Sequence, residues 1–85
     1  MTQKKLTARE IETWLINWVS KETGKKAHEV DPEETFINLG LSSRQAITLT
    51  GEIEDELNMS ADVSSAWDHP SIRKLAAHLA AQQKG

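Results

Sequence analysis

Eighty-five residues suffice for one small domain, able to remove about 60–65% of its unfolded surface from water, and leave no room for a second core or a deep substrate cavity. Hydrophobic residues at 38% and charged residues at 27% describe an ordinary globular chain, with no apolar run long enough to cross a bilayer and no apolar stretch of the signal-peptide kind in MTQKKLTARE, so a cytoplasmic protein is expected. The lack of cysteine excludes disulfides, thiolate metal ligands and a cysteine nucleophile, and a net charge of -3 argues against nucleic acid as a partner.

Residues 1–5 are polar and expected to be loose. From Leu6 the signals sharpen. A Thr7–Glu10 capping box and a Leu6–Ile11 hydrophobic staple predict a helix from Ala8 to Thr23. Ile11, Leu15, Trp18 and Val19 recur on its buried stripe, Trp14 lies at the edge, and Gly24 is the stop signal. Two tryptophans are generous for so small a core, which leaves room for one of them to sit partly exposed at a docking surface.

Residues 24–41 lack a helical period and form a long first loop. Pro32 stiffens it, Val30, Phe36, Ile37 and Leu39 pin it, and Glu33 to Ile37 has the makings of one helical turn. Ser42 and Gln45 then form a second capping box that opens a helix from Ser43 to about Leu57. Ala46, Leu49, Ile53 and Leu57 make its apolar stripe, with Ile47 beside it. Gly51 inside a helix costs up to about 1 kcal/mol relative to alanine, which predicts close approach by a neighbouring helix. Asn58 is placed to end the helix.

A short third helix is expected to start near Val63, carry Ala66 and Trp67 inward, and stop before Pro70. Ser71 caps the last helix, from Ile72 to about Ala81, whose stripe is Ile72, Leu75, Ala76 and Leu79; the terminal QQKG is expected to be loose. With no strand alternation or repeat, the reading is all-α: a small four-helix bundle of three long helices and one short, in one domain over residues 1–85 with a core of about 6–81.

The residue that carries chemistry is Ser43. At the first position of a helix its hydroxyl stands beside unpaired backbone N–H groups and the positive end of the helix dipole, surroundings that suit a phosphate ester. The same pattern, without further context, also fits one of two adjacent capping serines. No histidine lies nearby to act as its base, so a self-activated serine hydrolase is disfavoured. His28, His69 and His78 fall on three segments without ligand spacing, and no metal is expected. Between Ser43 and Asn58 the one cation, Arg44, is outnumbered by Glu52, Glu54, Asp55 and Glu56, a local excess of negative charge as large as the net -3 of the chain.

Leu39-Gly40-Leu41-Ser42-Ser43, the amphipathic helix after it, and Trp67-Asp68-His69-Pro70-Ser71-Ile72 together resemble the acyl carrier proteins, above all the carrier domains of modular polyketide synthases. The resemblance spans about residues 30–80 and two separated motifs. It implies an acyl-carrier four-helix bundle with a long first loop, without catalytic activity of its own. Its Ser43 takes a covalent 4'-phosphopantetheine arm from coenzyme A through a phosphopantetheinyl transferase and presents acyl thioesters to a ketosynthase or other polyketide and fatty-acid enzymes. It also implies a monomer that docks partners through the second helix, with Ser42, Arg44, Ile47, Glu52 and Asp55 as docking residues. Two positions depart from the family's usual Gly-Leu-Asp-Ser-Leu: Ser42 replaces the aspartate, keeping a helix cap, and Arg44 replaces an apolar residue met by partners. The Ser-Ser-Arg version looks like carriers loaded by fatty acyl-AMP ligases. The alternatives are a peptidyl carrier domain of a nonribosomal synthetase and an unmodified helical domain that docks a basic partner.

Overall fold

The computed structural model describes residues 6–61 and 63–82. Four α-helices follow one another: α1 (Ala8–Thr23), α2 (Ser43–Glu56), α3 (Val63–Asp68) and α4 (Ile72–Gln82), with one 3₁₀ turn at Ala27–Glu29 in the first loop. Both predicted capping boxes are formed. Thr7 Oγ1 accepts from Glu10 N at 3.0 Å while Glu10 Oε1 accepts from Thr7 N at 2.9 Å, and Ser42 and Gln45 repeat the exchange at the head of α2. Gly24 ends α1 at φ 78°, in the left-handed region, with its N–H on Ser20 O. The expected loose ends at residues 1–5 and 83–85 lie outside the described residues, whereas Gln82 belongs to α4.

The core is continuous through the bundle. Ile11, Leu15 and Val19 of α1, Leu49 and Ile53 of α2, and Ile72, Leu75 and Leu79 of α4 are essentially free of solvent, and Trp18 is nearly so. α1 packs chiefly on α4 and α2 on α3, whereas the α1 and α2 backbones keep apart. The first loop is tied down by backbone bonds to the start of α4: Phe36 N donates to Pro70 O and Arg73 N to Pro32 O, each at 2.8 Å, and Thr35 and Ser71 form an antiparallel bridge. Val30, Phe36 and Leu39 are buried beneath it. Arg73 adds ion pairs to Glu33 of the loop and Glu12 of α1.

Four expectations are corrected. The loop's helical turn lies at Ala27–Glu29, and Glu33–Ile37 forms irregular turns instead, because the bridge from Thr35 to Ser71 and the bond from Phe36 N to Pro70 O draw its backbone to the start of α4. Ile37 does not pin the loop but is 68% exposed. Nothing approaches Gly51 within 4 Å of where a Cβ would stand, since it faces away from the bundle. Trp67 is not carried inward and is 46% exposed. A six-residue helix can bury one narrow face, and in α3 that face is the small pair Ser65 and Ala66, which lets α3 settle against α2 and turns the indole outward.

Candidate functional site

The head of α2 is built by the turn before it. Leu39 and Leu41 are both buried, and the chain reverses between them at Gly40, whose φ of 100° favours glycine. Leu41 N then donates to Phe36 O at 3.0 Å and Gly40 N to Ile37 O at 3.0 Å, which fixes the direction in which the loop enters the helix. The nearest atom to a Cβ at Gly40 would be Thr23 Cγ2 at 3.9 Å, so space is not the constraint. Gly40→Ala is therefore expected to cost about 1–2 kcal/mol through backbone strain alone. Urea denaturation followed by tryptophan fluorescence measures it, and an unchanged midpoint refutes it.

Ser42 and Ser43, adjacent in sequence, are placed differently. Ser42 is the cap: its Oγ accepts from Gln45 N at 3.2 Å and its N–H donates to Gln45 Oε1 at 2.9 Å. Ser43 is the first helical residue and is exposed, and its hydroxyl has no hydrogen-bond partner among the described residues. The backbone N–H groups of Ser43 and Arg44 are likewise unclaimed by protein acceptors, and the exposed Arg44 guanidinium forms no ion pair among the described residues. An accessible hydroxyl, two free donors and an unpaired cation fit an attached phosphodiester. Among the described residues no side chain is hydrogen-bonded to the Ser43 hydroxyl.

One turn of helix sorts the other predicted docking residues onto three strips of α2. Ser43 and Ile47 lie four apart on the strip that continues to Glu54, and Ile47 is 55% exposed. Arg44 and Asp55, both exposed, share the outermost strip with Thr48 and Gly51. Glu52 lies on the opposite flank from Ser43, half-buried, where its Oε2 accepts from Trp18 Nε1 at 3.0 Å. The structure therefore brings Ser43, Arg44 and Ile47 to one end of the helix and separates Glu52 from them. Sequence reasoning counted Glu54 in the acidic cluster but not among the docking residues, although counting eleven residues on from Ser43 puts it on the serine's own strip. It also missed the exposed apolar side chains of Ile37 and Trp67, which no local pattern marks. His69 and His78 do meet, stacked at 4.0 Å between ring centroids across the end of α3 and α4.

The fold and this helix head are those of a carrier domain. Residues 13–79 match the family of phosphopantetheine attachment sites, and the chain belongs to that family, whose members carry 4'-phosphopantetheine covalently. A phenolphthiocerol/phthiocerol polyketide synthase from Mycobacterium tuberculosis is 40% identical over 70 residues, which is 82% of this chain and 4% of that protein. The conidial pigment polyketide synthase PfmaE of Pestalotiopsis fici is 29% identical over 77 residues, 91% of this chain and again 4% of the relative. The chain thus spans only a small fraction of the synthases it resembles. Among solved structures, a free-standing peptidyl carrier protein from a secondary metabolic pathway of Acinetobacter baumannii superposes with a TM-score of 0.85 at 26% identity, over 92% of this chain and 98% of that one. An acyl carrier protein from Anabaena with a variant phosphopantetheinylation-site sequence gives a TM-score of 0.81 at 26% identity, over 94% of each. No helix among the described residues is long and apolar enough to cross a membrane.

Proposed function

We propose that this chain is an acyl carrier domain of the polyketide synthase type, modified at Ser43 and without catalytic activity of its own. The observation that carries the reading is the pairing of an exposed, unbonded Ser43 hydroxyl with a neighbouring serine fully engaged as the cap. In the transfer, Ser43 Oγ attacks the phosphorus of coenzyme A that bears the pantetheine. The new Oγ–P bond forms as the bond to the adenosine bisphosphate oxygen breaks, and the serine proton passes to a base of a separate phosphopantetheinyl transferase. The free N–H groups of Ser43 and Arg44 stand ready to receive the phosphodiester oxygens, and the buried Leu39 and Leu41 hold the helix head rigid while they do. The attached arm supplies the thiol that the cysteine-free chain lacks, and acyl cargo is held on it as a thioester. Tethering keeps that cargo at high effective concentration for each enzyme that docks.

Incubation of the whole chain with coenzyme A and a promiscuous phosphopantetheinyl transferase, followed by intact mass measurement, tests the reading. One added phosphopantetheine group is expected; an unmodified mass after exhaustive incubation leaves only an unmodified interaction domain. Ser42, Arg44 and Ile47 supply the docking surface next to the serine and Asp55 extends it along the outer strip of α2, in a cytoplasmic monomer where coenzyme A is available. The enzymes that meet it include a ketosynthase and an acyl-loading enzyme such as a fatty acyl-AMP ligase. Arg44→Leu is expected to change the rate of acyl loading by such a ligase at least about threefold, through one exposed charge pair, while leaving pantetheinylation intact. Equal loading rates for both proteins would remove Arg44 from partner choice. A peptidyl carrier is the second reading, favoured by the superposition on the Acinetobacter protein. Charging of the modified chain by aminoacyl-adenylating enzymes and not by acyl-loading ones would establish it.

A further inference from the structure

The flank of α2 turned away from Ser43 carries a feature that attachment of the arm does not use. α1 and α2 run antiparallel there, and their facing side chains form the rungs of a ladder. At one end Gln45 Nε2 donates to Glu22 Oε1 at 3.3 Å, and in the middle Trp18 Nε1 donates to Glu52 Oε2 at 3.0 Å. One turn beyond the Trp18–Glu52 pair on each helix come Trp14 and Glu56, which both line the cleft and make a third rung. That rung is open. Neither side chain has a hydrogen bond or ion pair among the described residues, and between the helices lies a cleft of about 290 Å³ whose lining is Trp14, Trp18, Lys21, Glu22, Glu52 and Glu56 with the neutral amide of Asn17.

The chemistry of this cleft is specific. Its lining has three carboxylates against one ammonium, an excess of two negative charges, on a wall of two indoles. Glu22 and Glu52 each have one oxygen engaged, by Gln45 and Trp18, which leaves Glu56 as the carboxylate of the cleft with both oxygens free for a two-point contact. A planar cation that lies on the Trp14 ring and donates two hydrogen bonds to Glu56 would close the rung. Guanidinium does both, whereas an ammonium offers no planar fork.

We propose that the α1–α2 cleft is a docking site for an arginine side chain of a partner protein, held between the Trp14 indole and the Glu56 carboxylate. Charge complementarity selects the cation, and the flat indole selects arginine. Because the cleft is on the flank opposite Ser43, a partner anchored there leaves the head of α2 open. The domain can then be held by one protein while its arm is served by another. The site stands whether or not Ser43 is the attachment point.

The test is a nitrogen-15 correlation spectrum of the whole chain titrated with the tripeptide acetyl-Gly-Arg-Gly-amide, with the uncharged citrulline tripeptide as the control at matched ionic strength. The Trp14 indole N–H is expected to shift saturably with arginine and at least about tenfold more weakly with citrulline. Glu56→Gln is expected to weaken arginine binding about tenfold. Lys21→Ala, which removes the cation sharing the cleft, is expected to tighten it about threefold. Both positions are exposed on helix surfaces, and the remaining cross-peaks report that the fold is kept. No saturable shift, an equal response to citrulline, or indifference to Glu56→Gln overturns the proposal. So does binding of guanidinium ion alone as tightly as the tripeptide, which would make the occupant a small cation.

Discussion

Ser43→Ala is expected to end pantetheinylation completely, while Ser42→Ala still accepts one arm. The two hydroxyls differ by one residue and by everything around them. Ser42 Oγ is committed to Gln45 N and sits in the turn outside the helix; Ser43 Oγ is unbonded on the exposed first turn. Removing the Ser42 hydroxyl costs about 1 kcal/mol of helix stability, because one backbone donor of α2 loses its acceptor, and the site stays folded. Its modification is expected to be slower, since the helix head frays, and to reach the same final mass. Intact mass spectra of both variants after exhaustive treatment with coenzyme A and a transferase decide the matter. A gain retained in Ser43→Ala and lost in Ser42→Ala would move the attachment point to the capping serine.

Leu49→Ala is expected to lose about 2–5 kcal/mol of stability. Leu49 is entirely without solvent contact, on the face of α2 that closes over α1 and α4, and truncation leaves a cavity among side chains already fixed by three helices. A chain of this length commands in total about 4–13 kcal/mol, so the loss is a large fraction of it. The melting temperature is expected to fall by about 10–30 °C. Tryptophan fluorescence in urea, to which the nearly buried Trp18 contributes a change of surroundings, follows the transition. A loss below about 1 kcal/mol would mean that α2 is not anchored by this residue, and with it would go the fixed position of the helix head.

The helix boundaries were legible because they depend on neighbours three or four residues away. Thr7 with Glu10, and Ser42 with Gln45, place the starts of α1 and α2 where the sequence predicts them, and Gly24 ends α1 with its φ of 78°. The exposed position of Ser43 was legible for the same reason, as the residue after a cap. Trp67 was not: its sequence neighbours cannot tell whether a short helix turns its small residues or its large one toward α2. Ile37 was read as an anchor because it is apolar, but the bridge between Thr35 and Ser71 and the burial of Phe36 and Leu39 already hold that segment and direct residue 37 outward.

By itself, then, the sequence determined four helices, the N-caps of α1, α2 and α4, the long loop and the exposed serine at the head of α2, since capping and periodicity are interactions within a turn or two of chain. Only the tertiary structure decided the rotation of each helix about its own axis. That rotation sets Glu52 against Trp18, leaves Trp14 and Glu56 facing an open cleft, and turns the Trp67 indole to solvent. The physical reason is that the azimuth of a helix minimises exposed apolar area over all its neighbours at once, a quantity no single segment contains.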